Sequence, residues 1–277
     1  MKVFNNNLLR DLYRPVDSIS KGENGQVTII GGSSLFHGAP LLSLKAASRI
    51  VGMVYFSSPE KSVGEVASKL KSSLLSFIWV PWEEVEEYIK KSDSVLIGPG
   101  FMRYRSEKDG EGSPNDSSYA ETEQITKNLL IKYKDKKWVI DAGSLQLLKK
   151  EWIPKNAILT PNTKEYKMLF GEKEISEAAK ENDCIIVHKT AKAVVCSPKK
   201  CIEIGNGNKG LIKGGTGDTQ AGLTVALLAK NDPFLAASVA TYIVKKTADK
   251  LYEKKGTFYN ADDLADSIPE VFNSLLK

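Results

Sequence analysis

The chain has 277 residues, 42% of them hydrophobic and 26% charged, with ordinary glycine and proline usage, which excludes a disordered chain, a collagen-like repeat and a disulfide-stapled miniprotein. Its 39 Lys and Arg against 34 Asp and Glu leave a formal charge of +5. The pairs Lys136/Lys137, Lys149/Lys150, Lys199/Lys200 and Lys245/Lys246 lie far apart without interleaved aromatics, which disfavours nucleic acid and suits a phosphate-bearing small molecule.

Short β-branched runs alternate with longer stretches at helical spacing, the pattern of a doubly wound, mainly parallel α/β sheet with helices on both faces. Strands are predicted at Gln26–Ile30, Met53–Phe56, Ser94–Ile97, Trp138–Ile140, Ala157–Thr160, Cys184–Val187 and Ala193–Cys196, then a hairpin or edge strand at Lys200–Ile204. Helices are predicted at Pro40–Val51, Glu83–Lys90, Ala120–Tyr133, Leu145–Lys149, Thr163–Phe170, Ile175–Glu181, Asp218–Ala229, Pro233–Lys254 and Ala261–Leu276. The polar, turn-rich residues 101–119 are expected to form a mobile loop, and residues 1–277 a single domain.

Cys184, Cys196 and Cys201 show no C-x-x-C spacing and are expected to be buried, reduced thiols, as in a reducing cytosol. No signal-like h-region and no run of 18 apolar residues occurs, so a soluble, cytoplasmic protein with no membrane contact is expected. His37 and His188 lack partners at metal-ligand spacing, so no metal-ligating set is expected, and His188 reads as a satisfied imidazole at the core's edge.

In such sheets ligands gather outside the carboxyl ends of the strands. The segments there are Gly31-Gly32-Ser33, Gly98-Pro99-Gly100, Asp141-Ala142-Gly143, Thr160-Pro161-Asn162 and Lys189. Before a late helix stands Lys213-Gly214-Gly215-Thr216-Gly217-Asp218. Glycines opening a helix let amide N–H groups converge where the helix dipole is positive, which makes a phosphate site. A carboxylate there would repel phosphate unless it takes a proton from an attacking hydroxyl, so Asp218 reads as a general base; the alternative is a simple helix cap. Gly205-Asn206-Gly207-Asn208-Lys209-Gly210 matches G-x-G-x-x-G but opens no helix, and reads as a flexible loop beside a nucleotide rather than a dinucleotide fingerprint.

Taken in order from about Gly22 to Ala265, these segments, with Ser58-Pro59-Glu60, Glu165 and Ala221-Gly222, resemble the ADP/ATP-dependent NAD(P)H-hydrate dehydratases of the ribokinase-like superfamily. The resemblance implies a ribokinase-like fold and a repair lyase. The terminal phosphate of ADP or ATP would pass to the ring hydroxyl of hydrated NADH or NADPH, and phosphate would then be eliminated. It assigns Asp218 as base and Gly214, Gly215, Thr216 and Gly217 as the anion hole, with Mg²⁺ bridging phosphate oxygens. Ala39, Gly100, Asn162 and Asp218 would contact the hydrate, and Lys189, Thr190, Ala191, Lys192, Ala193 and Gly217 the nucleotide. Asn162 stands where the family has His, Met102 where it usually has Gly, and Thr190 where Gly normally follows the Lys. A chain entering the fold by Lys21 leaves no room for the epimerase domain often fused in this family, so an epimerase acting in trans is expected, as is a homo-oligomer. The rival readings are a ribokinase-like kinase for a vitamin precursor and a non-catalytic nucleotide-binding relative.

Overall fold

The computed structural model describes residues 1–20, 22–71, 74–102 and 117–276. Its elements, in chain order, are β1 (Lys2–Val3), β2 (Gln26–Ile30), α1 (Gly38–Ala47), β3 (Met53–Ser57), α2 (Lys61–Leu70), β4 (Ile78–Trp79), α3 (Val85–Lys91) and β5 (Ser94–Ile97). There follow α4 (Ser117–Lys132), β6 (Lys137–Ile140), α5 (Ala142–Gln146), β7 (Ile158–Leu159), α6 (Thr163–Phe170), α7 (Ile175–Glu181), β8 (Ile185–His188), β9 (Ala193–Cys196) and β10 (Cys201–Ile204). The long helices α8 (Thr216–Lys230), α9 (Pro233–Lys255) and α10 (Ala261–Leu276) close the chain.

Among the described residues the strands form one sheet in the order β1-β10-β9-β8-β7-β6-β5-β2-β3-β4. All neighbours are parallel except β8 with β9 and β9 with β10. Parallel strands covered on both faces must be apolar at nearly every position, and alternation then sorts the side chains. Val27 and Ile29, Val54 and Phe56, Leu96 and Val139 face a core shared with α1, α8, α9 and α10. Ile30, Val95, Ile97, Trp138 and Ile140 face a second core under α3 to α7.

β2 pairs with both β3 and β5, so the winding reverses between β2 and β5, where such sheets bind ligands. Gly31 and Gly98 leave the sheet at that point. Their loops pack backbone to backbone: a Cβ on Gly31 would lie 2.1 Å from the Pro99 carbonyl oxygen.

The two-residue strands β1 and β4 are too short to leave a periodic signal, and β1, not β10, forms the sheet edge. The predicted elements also omit α2. Its apolar positions Val63, Val66, Ala67 and Leu70 have helical spacing, but Gly64 interrupts them so that Trp79 can lie against the helix. α5 begins at Ala142, ahead of its predicted start at Leu145, through a left-handed residue with φ 46°. Of the expected loop at 101–119, residues 117–119 form the start of α4, and residues 103–116 lie outside the described residues.

The cysteine expectation needs correction. Cys184 is free and buried, but Cys196 and Cys201 form a disulfide. They face each other across β9 and β10, one step in from the Ser197 amide donating to the Lys200 carbonyl. That makes them a non-hydrogen-bonded pair, where side chains approach most closely, so register creates the bond that spacing did not suggest. No helix among the described residues is long and apolar enough to cross a membrane.

Candidate functional site

α8 begins without a side-chain cap. Gly215, with φ +89°, turns the chain into the helix at a position where a Cβ would also meet Leu42 at 2.4 Å. The Thr216 hydroxyl is tied inward, donating to the carbonyls of Leu211 (2.7 Å) and Lys213 (2.9 Å). The amides of Gly214, Gly215 and Gly217 have no acceptor among the described residues, so the positive end of a 15-residue helix opens with donors unspent.

Two close contacts fix this helix start. A Cβ on Gly222 would lie 2.1 Å from the Ser43 carbonyl oxygen, so glycine there lets α8 pack directly on α1. The Ser43 hydroxyl then lies within reach of the carbonyls of Asp218 (2.7 Å) and Ala39 (3.4 Å). This joins the first turns of α1 and α8. Gly100 reaches the same place from the other loop, with a Cβ position 2.6 Å from the Phe36 carbonyl oxygen and 3.0 Å from Pro40. Ala39, Gly100 and Asp218, remote in sequence, therefore stand on one side of the α8 start.

Behind Asp218 lies a charged network to whose carboxylates, Asp141 and Glu165, sequence reasoning assigned no role. Asp141, 2% exposed, accepts from the Thr160 hydroxyl at 2.7 Å and the Lys189 ammonium at 2.9 Å. Buried Glu165 accepts from Gln146 at 3.1 Å and from the Asn162 amide at 2.9 Å. The Asn162 side chain accepts from the Glu165 amide in return, a capping box that starts α6. Asp141 and Glu165 both lie in quoted segments; what sequence could not supply is their convergence on Lys189.

One ammonium faces three carboxylates here. Burial, with repulsion from Asp141 and Glu165, raises the Asp218 pKa to about 7 against the opposing effects of Lys189 and the residue's own amide. Burial by itself would lower Lys189, but Asp141, Glu165 and Asp218 together outweigh that and hold its ammonium charged. A carboxyl poised near neutrality beside unspent amides can exchange a proton with a hydroxyl while an anion is held nearby.

On the far side of Gly217, whose Cβ position is 3.4 Å from the Lys189 Nζ, opens a cavity of about 650 Å³. Of the expected nucleotide contacts, Lys189, Thr190, Ala191, Ala193 and Gly217 line it, and so does Asn162, expected to face the hydrate instead. Lys192 is not on its wall and approaches Glu203 on the surface at 3.8 Å. The wall also holds Gly207, Asn208 and Lys209, from the loop read as lying beside a nucleotide, and Gln220, Val244 and Lys245, which sequence reasoning did not single out as contacts. His188, read as satisfied, has an Nε2 with no hydrogen-bond partner among the described residues. Its ring packs on Tyr166 with centroids 5.1 Å apart, and burial holds its pKa below the ordinary value. Among the described residues no group of three or more His, Cys, Asp and Glu is placed to hold a metal ion.

A family model described as NAD(P)H-hydrate dehydratase matches residues 27–270. The chain is 32% identical over 271 residues to the bifunctional NAD(P)H-hydrate repair enzyme of Methanocaldococcus jannaschii, covering 95% of this chain and 51% of that protein. The chain thus spans about half the length of that relative. It is 29% identical to the ADP-dependent (S)-NAD(P)H-hydrate dehydratase of Nitrosopumilus maritimus, covering 91% of this chain and 89% of that one. Among solved structures, the ADP/ATP-dependent NAD(P)H-hydrate dehydratase of Bacillus subtilis, co-crystallized with ATP and Mg²⁺, superposes with a TM-score of 0.79 at 23% identity over 99% of this chain and 98% of that one, a likeness of fold.

Proposed function

The chain belongs to the NAD(P)H-hydrate dehydratase family, and from that premise we propose that it uses ADP or ATP to dehydrate hydrated NADH or NADPH. The observation that carries the reading is Asp218. Its carboxyl has a pKa of about 7 at the amide-lined start of α8, between the Ala39/Gly100 side and the 650 Å³ cavity.

Asp218 takes the proton from the ring hydroxyl as that oxygen attacks the terminal phosphorus of the nucleotide. A new P–O bond forms, the bond to the leaving nucleotide oxygen breaks, and the Gly214, Gly215 and Gly217 amides, with Lys189, stabilise charge on the transferred group. Phosphate then departs with the C–O bonding pair while the neighbouring ring carbon loses a proton, which restores the dihydronicotinamide double bond. The sum is nucleotide plus hydrate giving the shortened nucleotide, phosphate and NADH or NADPH. Ala39 and Gly100 would abut the hydrate. Lys189, Thr190, Ala191, Ala193 and Gly217 would abut the nucleotide, with Asn162 between the two sets.

The donor set suits Mg²⁺, because three carboxylates around one ammonium leave an excess of negative charge without a preformed cage, and Mg²⁺ binds largely through phosphates and water. Asp141 would face it, leaving Asp218 free as the base, and it would supply charge neutralisation on the phosphate oxygens. A cytoplasmic location, a homo-oligomer and a companion epimerase complete the proposal. The relative described as bifunctional, of which this chain spans half, favours a companion activity on the same polypeptide in that protein over one acting in trans.

The test is absorbance at 340 nm with hydrated NADH, Mg²⁺ and either ADP or ATP, beside Asp218→Asn. A nucleotide-dependent rise lost in the variant supports the dehydratase and identifies the donor. No rise with either donor, despite nucleotide binding, would overturn it in favour of a vitamin-type kinase or a non-catalytic binder.

A further inference from the structure

Lys245 is a lysine on α9 that is 6% exposed and has no carboxylate within salt-bridge distance among the described residues. Its ammonium donates to the carbonyls of Ala191 (2.6 Å), Asn206 (3.0 Å) and Thr190 (3.3 Å). Three donors thus meet three backbone acceptors, which is the full capacity of an ammonium. One helical turn on, Asp249 does the converse. Its carboxylate accepts from the Gly207 amide at 3.1 Å and the Asn208 side-chain amide at 3.4 Å.

These partners belong to two loops at the same end of the β9–β10 hairpin. Residues 189–192 lead into β9, and residues 205–208 leave β10. Both line the 650 Å³ cavity, through Thr190 and Ala191 on one side and Gly207 and Asn208 on the other. The second loop turns through consecutive left-handed residues, Asn206 (φ 43°) and Gly207 (φ 82°). A left-handed asparagine costs free energy and persists where its surroundings over-determine it. Here the turn aims the Asn206 carbonyl at Lys245 and the next amide at Asp249. The loop read from sequence as flexible is held at both polarities by one helix.

We infer that Lys245 and Asp249 are positioning residues that hold the two walls of the nucleotide cavity at their working separation, and so set nucleotide affinity without touching the reacting atoms. The inference rests on the reading of this cavity as the nucleotide site. Burying a lysine in order to bind only carbonyls is costly, and preorganising a binding loop is a return that offsets the cost.

The test is calorimetric titration of the whole chain with ADP and with ATP in Mg²⁺ buffer, together with hydrogen exchange of peptides covering residues 189–193 and 205–209. Lys245→Met keeps the stem and removes the donors; Asp249→Asn keeps the shape and removes the charge; Lys250→Met, at an exposed position, controls for the loss of a lysine. Both clamp variants should weaken nucleotide binding by about tenfold and speed exchange in those two peptides, with peptides of β2 and β5 unchanged. Where turnover is measured, nucleotide KM should rise by more than kcat falls. Should Lys245→Met fail to fold, Asp249→Asn decides.

Wild-type affinity in the folded variants, or exchange quickened throughout the chain, would overturn the clamp and leave the dehydratase reading standing. If the wild type binds nucleotide but does not turn over hydrated NADH, the dehydratase reading fails and the clamp is still decided by the dissociation constants. A wild type that binds neither nucleotide overturns both.

Discussion

The Lys189 ammonium lies 2.9 Å from the Asp141 carboxylate, bringing the end of β8 to the end of β6 and setting the charge that Asp218 feels. The pair is nearly enclosed, with side-chain exposures of 19% and 3%. Removing one partner strands the other as an uncompensated buried charge, and Lys189→Met should destabilise the fold by about 3–5 kcal/mol. The same change removes the cation that opposes the Asp218 shift, so the Asp218 pKa should rise above about 7. Urea unfolding checks the first expectation and the acid limb of kcat/KM the second.

That acid limb gives a prediction for the unaltered chain. A general base works when deprotonated, so kcat/KM should rise with pH through a midpoint near the Asp218 value of about 7 and then level off. A profile flat from pH 5 to 8 would remove Asp218 from that role.

The sign for stability is opposite to that of an ordinary salt-bridged carboxylate. Asp218 stands at about 7 when folded, against an ordinary 3.8. Between those values the folded chain keeps a proton that the unfolded chain has released, so stability falls as pH rises through this window. Asp218→Asn removes the penalty. It should raise Tm at pH 8, leave Tm nearly unchanged at pH 4, and lower kcat by about 10²–10⁴-fold. Thermal unfolding at the two pH values beside the 340 nm assay measures both.

Gly222→Ala tests the approach of α1 to α8. The added Cβ would meet the Ser43 backbone at 2.1 Å, where no flexible side chain can yield. The variant should lose about 1–3 kcal/mol or more in denaturant unfolding, the range for overpacking. Because Ser43 also binds the Asp218 carbonyl, activity should fall even in the fraction that remains folded.

The Cys196–Cys201 bond closes a loop of sequence separation 5 at the end of the hairpin remote from Asp218. A loop that short stabilises by about 2 kcal/mol on the chain-entropy model. Reducing agent should therefore lower Tm slightly and leave turnover intact, with a mass change reporting the reduction. A loss of turnover on reduction alone would show that the hairpin transmits strain to the cavity.

The sequence by itself determined the central architecture. β2, β5 and β9 match their predicted bounds, as do α6, α7 and α10, because buried parallel strands must be apolar throughout and amphipathic helices must repeat at helical spacing. It also marked the glycine-rich start of α8, since glycines before an apolar helix leave a local signal. Gly64 and the brevity of β1 and β4 erased that signal elsewhere. Tertiary structure alone decided which polar groups meet: Asp141 with Lys189, Ser43 with Asp218, Lys245 with three carbonyls, and Cys196 with Cys201. Each pairing depends on strand order, register or helix crossing, which are settled by burying two apolar faces at once. Periodicity along the chain records which side of an element is buried, but not which distant side chain waits there.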